Sequence, residues 1–206
     1  KDSTENFALS LGAPAPVGGL AVTLTSLDPA RLLFAASDST VVGSGTLVIN
    51  VAAAQTQVQY SMQALADNGT VGVTASAPGF TTGNNSHPLT PSGFYISTAS
   101  FNTTTAAANT AVDVCFVRLD PALNNVGLRL LRPGVSVNVS MNSNNPSVGT
   151  IANNPRTISA GQTCTGTDGD FAFHVAGTGT ATLSLATPSG YSTPANLNQS
   201  ITATVN

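Results

Sequence analysis

Lysine is almost missing from this chain: Lys1 is the only one in 206 residues, and with five arginines it faces nine acids. Charged residues make up 7% of the sequence, aromatic residues 5%, and there is no Trp. Long helices draw on Leu, Glu, Lys, Arg and Ala and solvate their outer faces with charge, so this composition excludes a helical protein. The net charge is −3, and four of the five arginines crowd between Arg118 and Arg156. That leaves no extended basic surface for a polyphosphate and excludes nucleic acid as a partner. No apolar run reaches the roughly 18 residues of a membrane span, which excludes membrane insertion by a helix. No charged-then-apolar leader is visible either. A start at Lys1 rather than Met is what a processed or excised segment would show, so the missing leader does not argue against export.

Gly (19 residues) and Pro (12) are plentiful, and Ser, Thr and Asn solvate the surface in place of charge. The apolar period is two almost everywhere. Phe7/Leu9/Leu11, Leu20/Val22/Leu24, Leu47/Ile49/Val51, Val58/Tyr60/Met62 and Val71/Val73/Ala75 alternate with polar residues, as strands with one face on a core do. Turn signals separate them: Asp28-Pro29, Gly43-Ser44-Gly45, Asn68-Gly69 and Pro78-Gly79. The spacing predicts a hairpin from Val58 to Ser76, turning at Asp67-Asn68-Gly69.

The second half repeats the first in order. Pro16-Val-Gly-Gly-Leu-Ala-Val matches Arg132-Pro-Gly-Val-Ser-Val, and Ala54-Gln55-Thr56 matches Gly161-Gln162-Thr163. Phe171, Phe173 and Val175 answer Val58, Tyr60 and Met62, while Ala181, Leu183 and Leu185 answer Val71, Val73 and Ala75. Two beads of about 100 residues each have the size of immunoglobulin-like sandwiches. The expected fold is therefore all-β: two tandem immunoglobulin-like antiparallel β-sandwich domains, residues 1–91 and 92–206, joined near Pro91-Ser92-Gly93. The second copy opens with two candidate strands, Phe94 to Ser97 and Ala111 to Leu119, where the first has only Phe7 to Leu11. Either an opening strand was lost when the segment was taken from a longer array, or the first copy has a shorter start of its own.

Pro78-Gly-Phe-Thr-Thr-Gly, then Leu89-Thr-Pro-Ser-Gly-Phe-Tyr-Ile-Ser97, with Val22-Thr-Leu-Thr-Ser-Leu-Asp-Pro before them, resembles the tandem bacterial immunoglobulin-like (Big-type) repeats of large surface or exported proteins. The resemblance implies a bacterial, extracellular or cell-surface location and a role as spacer or adhesion stalk. It implies as partners the neighbouring domains of the parent chain and a surface protein or glycan. It carries over no binding residue.

Chemistry-bearing residues are sparse. Asp168-Gly169-Asp170, four residues before His174 in its second acid, is the best candidate for calcium, but such a site recruits six to eight oxygens and no further acid lies near in sequence. No metal and no cofactor is expected. The strand phase turns His174 outward with Ala172, and His87 falls in an Asn-rich stretch read as a loop, without an acid within fifteen residues. No nucleophile elbow or phosphate-cradling Gly loop occurs, so the chain is read as no enzyme. The rival is a carbohydrate-binding sandwich, but sugar platforms favour paired aromatics, and only Tyr60, Tyr95 and Tyr191 are on offer. Asn102 to Asn109 reads as a polar loop. Cys115 in a strand and Cys164 in a polar turn would join in an oxidising compartment; the alternative is two free thiols.

Overall fold

The computed structural model of the protein describes residues 1–167 and 170–206. Among the described residues there is no α-helix, only a single 3-10 turn at Thr165–Thr167. The chain divides into two compact units: Lys1–Thr90 with Arg132–Gly134, and Pro91–Leu131 with Val135–Asn206.

Unit 1 contains β1 (Ser3–Ser10), β2 (Leu20–Ser26), β3 (Leu32–Ala36), β4 (Thr46–Val51), β5 (Gln57–Ala64), β6 (Thr70–Ser76) and β7 (Gly83–Pro88). In one sheet β1, β5 and β3 lie side by side; in the other the order is β4-β2-β6-β7. All of these pairings are antiparallel. Alternation turns Leu24, Phe34, Met62 and Val71 into one buried cluster, with Ile49, Tyr60 and Val73 partly buried against it. Val22 joins a second cluster with Ala15, Leu20 and Val51. The Arg132 guanidinium, which belongs to this unit, sits 3.0 Å from the Asp2 carboxylate, both side chains largely buried.

Unit 2 contains β8 (Ser92–Ile96), β9 (Phe101–Thr103), β10 (Thr110–Val112), β11 (Val114–Leu119), β12 (Asn125–Leu128), β13 (Leu130–Leu131), β14 (Val137–Ser143), β15 (Gly149–Ala152), β16 (Arg156–Ile158), β17 (Phe171–Val175), β18 (Gly179–Ala186) and β19 (Ser200–Val205). β10 and β11 form one run broken at Asp113; the first half pairs with β17, which pairs with β15, and the second half pairs with β8 and β12. The facing sheet runs β16-β14-β18-β19-β9, with β9 parallel to β19. Strands β8, β10/β11, β17 and β15 thus stand in the A, B, E and D places of an immunoglobulin-like sandwich, and β14, β18 and β19 in its C, F and G places. One continuous core joins the sheets and takes in Val137, Val139, Phe171, Phe173, Leu183 and Leu185.

Unit 1 has the same order, with β1, β5 and β3 in the B, E and D places and β2, β6 and β7 in C, F and G. The registers correspond. Leu24 opposite Ala75 answers Met141 opposite Leu185, and Phe34 opposite Met62 answers Gly149 opposite Val175. Ala54 and Gly161 both adopt positive φ, 62° and 80°, and donate their N–H to the carbonyls of Ala15 and Leu131 at 2.9 and 2.7 Å.

Three expectations need correction. The Val58–Ser76 segment is not a hairpin: β5 and β6 lie in opposite sheets. Each strand has one apolar face, and the two faces meet across the sandwich instead of lining up along one sheet; of the turn residues only Gly69, at φ 72°, has positive φ. The Asn-rich stretch around His87 is no loop but the edge strand β7, held by backbone pairing to β6 that needs no apolar side chains. Likewise the supposed loop after Phe101 begins as strand β9.

Candidate functional site

The densest cluster of reactive side-chain types lies where β10 gives way to β11. Asp113 interrupts an otherwise apolar strand, flanked by Val112 and Val114, both fully buried. Its backbone N–H is accepted by the Thr98 hydroxyl at 2.8 Å. Its Oδ1 accepts from the Thr165 hydroxyl at 2.8 Å and from the Gly166 N–H at 3.0 Å, and its Oδ2 accepts from the Ser97 hydroxyl at 3.1 Å. The Thr165 hydroxyl in turn accepts the Val114 N–H at 3.1 Å. This carboxylate therefore ties the 3-10 turn and the loop after β8 to the broken strand. Two residues on, Cys115 is joined to Cys164 by a disulfide that closes a separation of 49 residues.

Asp170 approaches the same place. An ideal side-chain carbon on Gly166 would lie 3.3 Å from the Asp170 Oδ1 and 3.6 Å from the Asp113 Oδ1, so both acids crowd the one glycine. The Asp170 Oδ1 is buried with no hydrogen-bond partner. Burial, and next the negative charge of Asp113, push the Asp170 carboxyl above the ordinary aspartate value, partly offset by Thr165 and Arg156. Both sulfurs are consumed in the bridge, so the cluster offers neither a thiolate nucleophile nor a thiolate metal ligand. Asp168, the other candidate calcium ligand, lies outside the described residues. Asp113 was not singled out from the sequence; its signal there is an acid in the middle of a strand where both neighbours point to the core.

The remaining candidates are dispersed. His174 is exposed, as its phase predicts, with Nδ1 3.0 Å from the Asn109 side-chain oxygen. His87 lays its ring edge-on to Phe7 at 5.4 Å between centroids. Tyr60 sits between Phe7 and Phe34 in the core of unit 1, where burial raises its phenol. Tyr191 packs on Phe94 and Phe116 in unit 2, and Tyr95 lies on β8 opposite Cys115.

No protein-family model and no curated protein matches the chain. Solved structures with a similar fold include domains 4 and 5 of the S-layer protein SbsC, 13% identical over 89% of this chain and 70% of that chain, with a TM-score of 0.38. Invasin, a bacterial integrin-binding protein, is 13% identical over 98% of this chain and 39% of its own, with a TM-score of 0.34. The C-terminal 282-residue fragment of intimin, solved with the intimin-binding domain of its translocated receptor, is 13% identical over 98% of this chain and 57% of that chain, at 0.29. These likenesses are of fold alone.

Proposed function

We propose that the chain is a non-enzymatic structural module of an exported surface protein, acting as a spacer or adhesion stalk in an extracellular array of immunoglobulin-like domains. The observation that carries this reading is repetition: one sandwich plan, with corresponding registers, is built twice in succession on separate cores. Repeating a self-contained unit lengthens a chain without enlarging a core. The disulfide supports the location, since such bonds persist in oxidising compartments and are rare where glutathione keeps thiols reduced. The Asp113 carboxylate is engaged in holding local structure together.

Pulling the whole chain from its ends in a single-molecule force experiment tests the mechanical part. Two unfolding steps are expected. Unit 2 should release less length than its residue count allows until the disulfide is reduced, when the 49-residue separation frees about 16–18 nm more. Unfolding in one low-force step would count against a load-bearing spacer. A glycan array decides the rival: saturable binding of a defined saccharide would replace the spacer with a carbohydrate-binding module.

A further inference from the structure

We propose that Asn68 is a self-modifying site: its carboxamide cyclises onto the Gly69 nitrogen, loses ammonia, and is opened by water to aspartate or isoaspartate, so that the turn between β5 and β6 gains a carboxylate beside Arg31. This stands independently of the spacer reading. Solvent water is the one co-reactant. In the first step the Gly69 nitrogen bonds to the Asn68 Cγ, the Cγ–Nδ2 bond breaks, and the Gly69 proton leaves with that nitrogen as ammonia. In the second, water adds to one of the two carbonyl carbons of the five-membered ring. Breaking the bond to Cγ gives aspartate; breaking the main-chain bond gives isoaspartate, with the backbone routed through Cγ.

The nucleophile is the N–H of a residue with no side chain to block its approach, and Asn68-Gly69 is the only Asn-Gly pair in the sequence. Both residues are exposed, and Gly69 holds φ at 72°. Among the described residues no acceptor takes the Gly69 N–H, while the Gly69 carbonyl is fixed by the Leu89 N–H at 2.8 Å. The nitrogen is therefore open to reaction in a turn that is pinned on its other side. The Asn68 Nδ2 donates to the Asp67 Oδ1 at 2.7 Å, which limits the rotamers of the carboxamide.

Arg31 supplies the activation. Its Nη2 donates to the Asn68 carbonyl oxygen, and a side-chain carbon on Gly69 would fall 2.8 Å from the same nitrogen. The Asn68 C=O and the Gly69 N–H are the two ends of one conjugated peptide group, so the anion formed when Gly69 loses its proton places much of its charge on that oxygen. A cation already bonded there stabilises the anion without rearranging. The guanidinium is held in place. The Arg31 N–H donates to the Asp28 carbonyl at 3.0 Å, the Arg31 carbonyl accepts the Leu65 N–H at 2.9 Å, and Nη1 lies 4.0 Å from the Asp28 Oδ2. The two Asn-Ser pairs, at Asn85 and Asn142, lie instead within the paired strands β7 and β14.

The test is incubation of the whole 206-residue chain in mildly alkaline buffer made with heavy-oxygen water, followed by peptide mapping. Heavy oxygen should enter at residue 68, with isoaspartate appearing there as a methyl acceptor for an isoaspartyl methyltransferase, while Asn85 and Asn142 stay unlabelled. Arg31→Gln should slow the labelling about tenfold, as loss of one charge-assisted hydrogen bond to a developing anion would. Asn68→Gln, whose ring would need an extra carbon, should abolish it. The chain unfolded in urea should label more slowly than the folded chain, and this comparison decides should Arg31→Gln fail to fold. The proposal is overturned by a folded chain that stays unlabelled, by equal labelling at Asn85 and Asn142, by faster labelling in urea, or by an Arg31→Gln rate equal to the parent's.

Discussion

Gly149 and Phe34 hold the same place in the two units, opposite Val175 and Met62, and the contrast shows how single residues set each core. In unit 1 the large side chain is Phe34, meeting Tyr60 at 5.9 Å. In unit 2 the partner is stripped to a glycine, and the Phe173 ring occupies the space: a side-chain carbon on Gly149 would clash with the edge of that ring. Gly149→Ala should cost about 1–3 kcal/mol through overpacking, read as a lowered urea midpoint at unchanged slope. Two aspartates in unit 2 should answer pH in opposite directions. Asp170 is raised by burial and then by Asp113, so the folded state binds protons more tightly there, and stability falls as pH rises through the interval between its unfolded and folded values. Asp170→Asn removes that slope. The variant should be more stable than the parent at neutral pH, and the gap should close on acidification; a gap independent of pH would remove the carboxyl pair as its cause. Asp120 is lowered, first by the Asn124 backbone N–H and next by the Asn124 side chain, so its contribution is present above the unfolded value and lost as pH falls through the folded one.

At the scale of elements, the disulfide links the strand β11 to the segment before the 3-10 turn and bridges almost half of unit 2 in sequence. On the chain-entropy model, closing a 49-residue loop stabilises the fold by about 4 kcal/mol. A Cys115→Ser, Cys164→Ser double variant should lose about that much, with the loss confined to unit 2. Mass spectrometry of unreduced protein should find no alkylatable thiol, and two would end the assignment. Legibility in the sequence follows from the physics of each element. Period-two alternation placed β2, β5, β6, β17 and β18, because each has one face on a core and one in water. Alternation does not say which strand lies beside which, and so the E–F connection looked like a hairpin. Edge strands escaped for another reason. β7 reads Gly-Asn-Asn-Ser-His-Pro and β9 reads Phe-Asn-Thr; both are held by pairing along one side, which leaves little trace in side-chain chemistry. The acid pair was half hidden too, since Asp113 and Asp170 meet only once β10/β11 and β17 pair.

At the scale of the molecule, the question is whether the two units stabilise themselves separately. Unit 2 has one continuous core, whereas the buried residues of unit 1 fall into two smaller clusters, around Leu24 and around Val22. Phe173 is fully buried, touches Phe101 at 5.7 Å, and stands in the place that Tyr60 holds in unit 1. Phe173→Ala should cost roughly 3–5 kcal/mol, the range for emptying a buried aromatic site. Hydrogen exchange resolves where that loss goes. With independent units, protection should fall across β10, β15, β17 and β18 while β2, β5 and β6 keep theirs, because a core transmits a cavity only as far as its own contacts reach. Equal loss in both units would mean one cooperative body. The corresponding change in unit 1, Tyr60→Ala, should be milder, since Tyr60 is only partly buried and lines a cavity of about 210 Å³, so its removal enlarges a space already there.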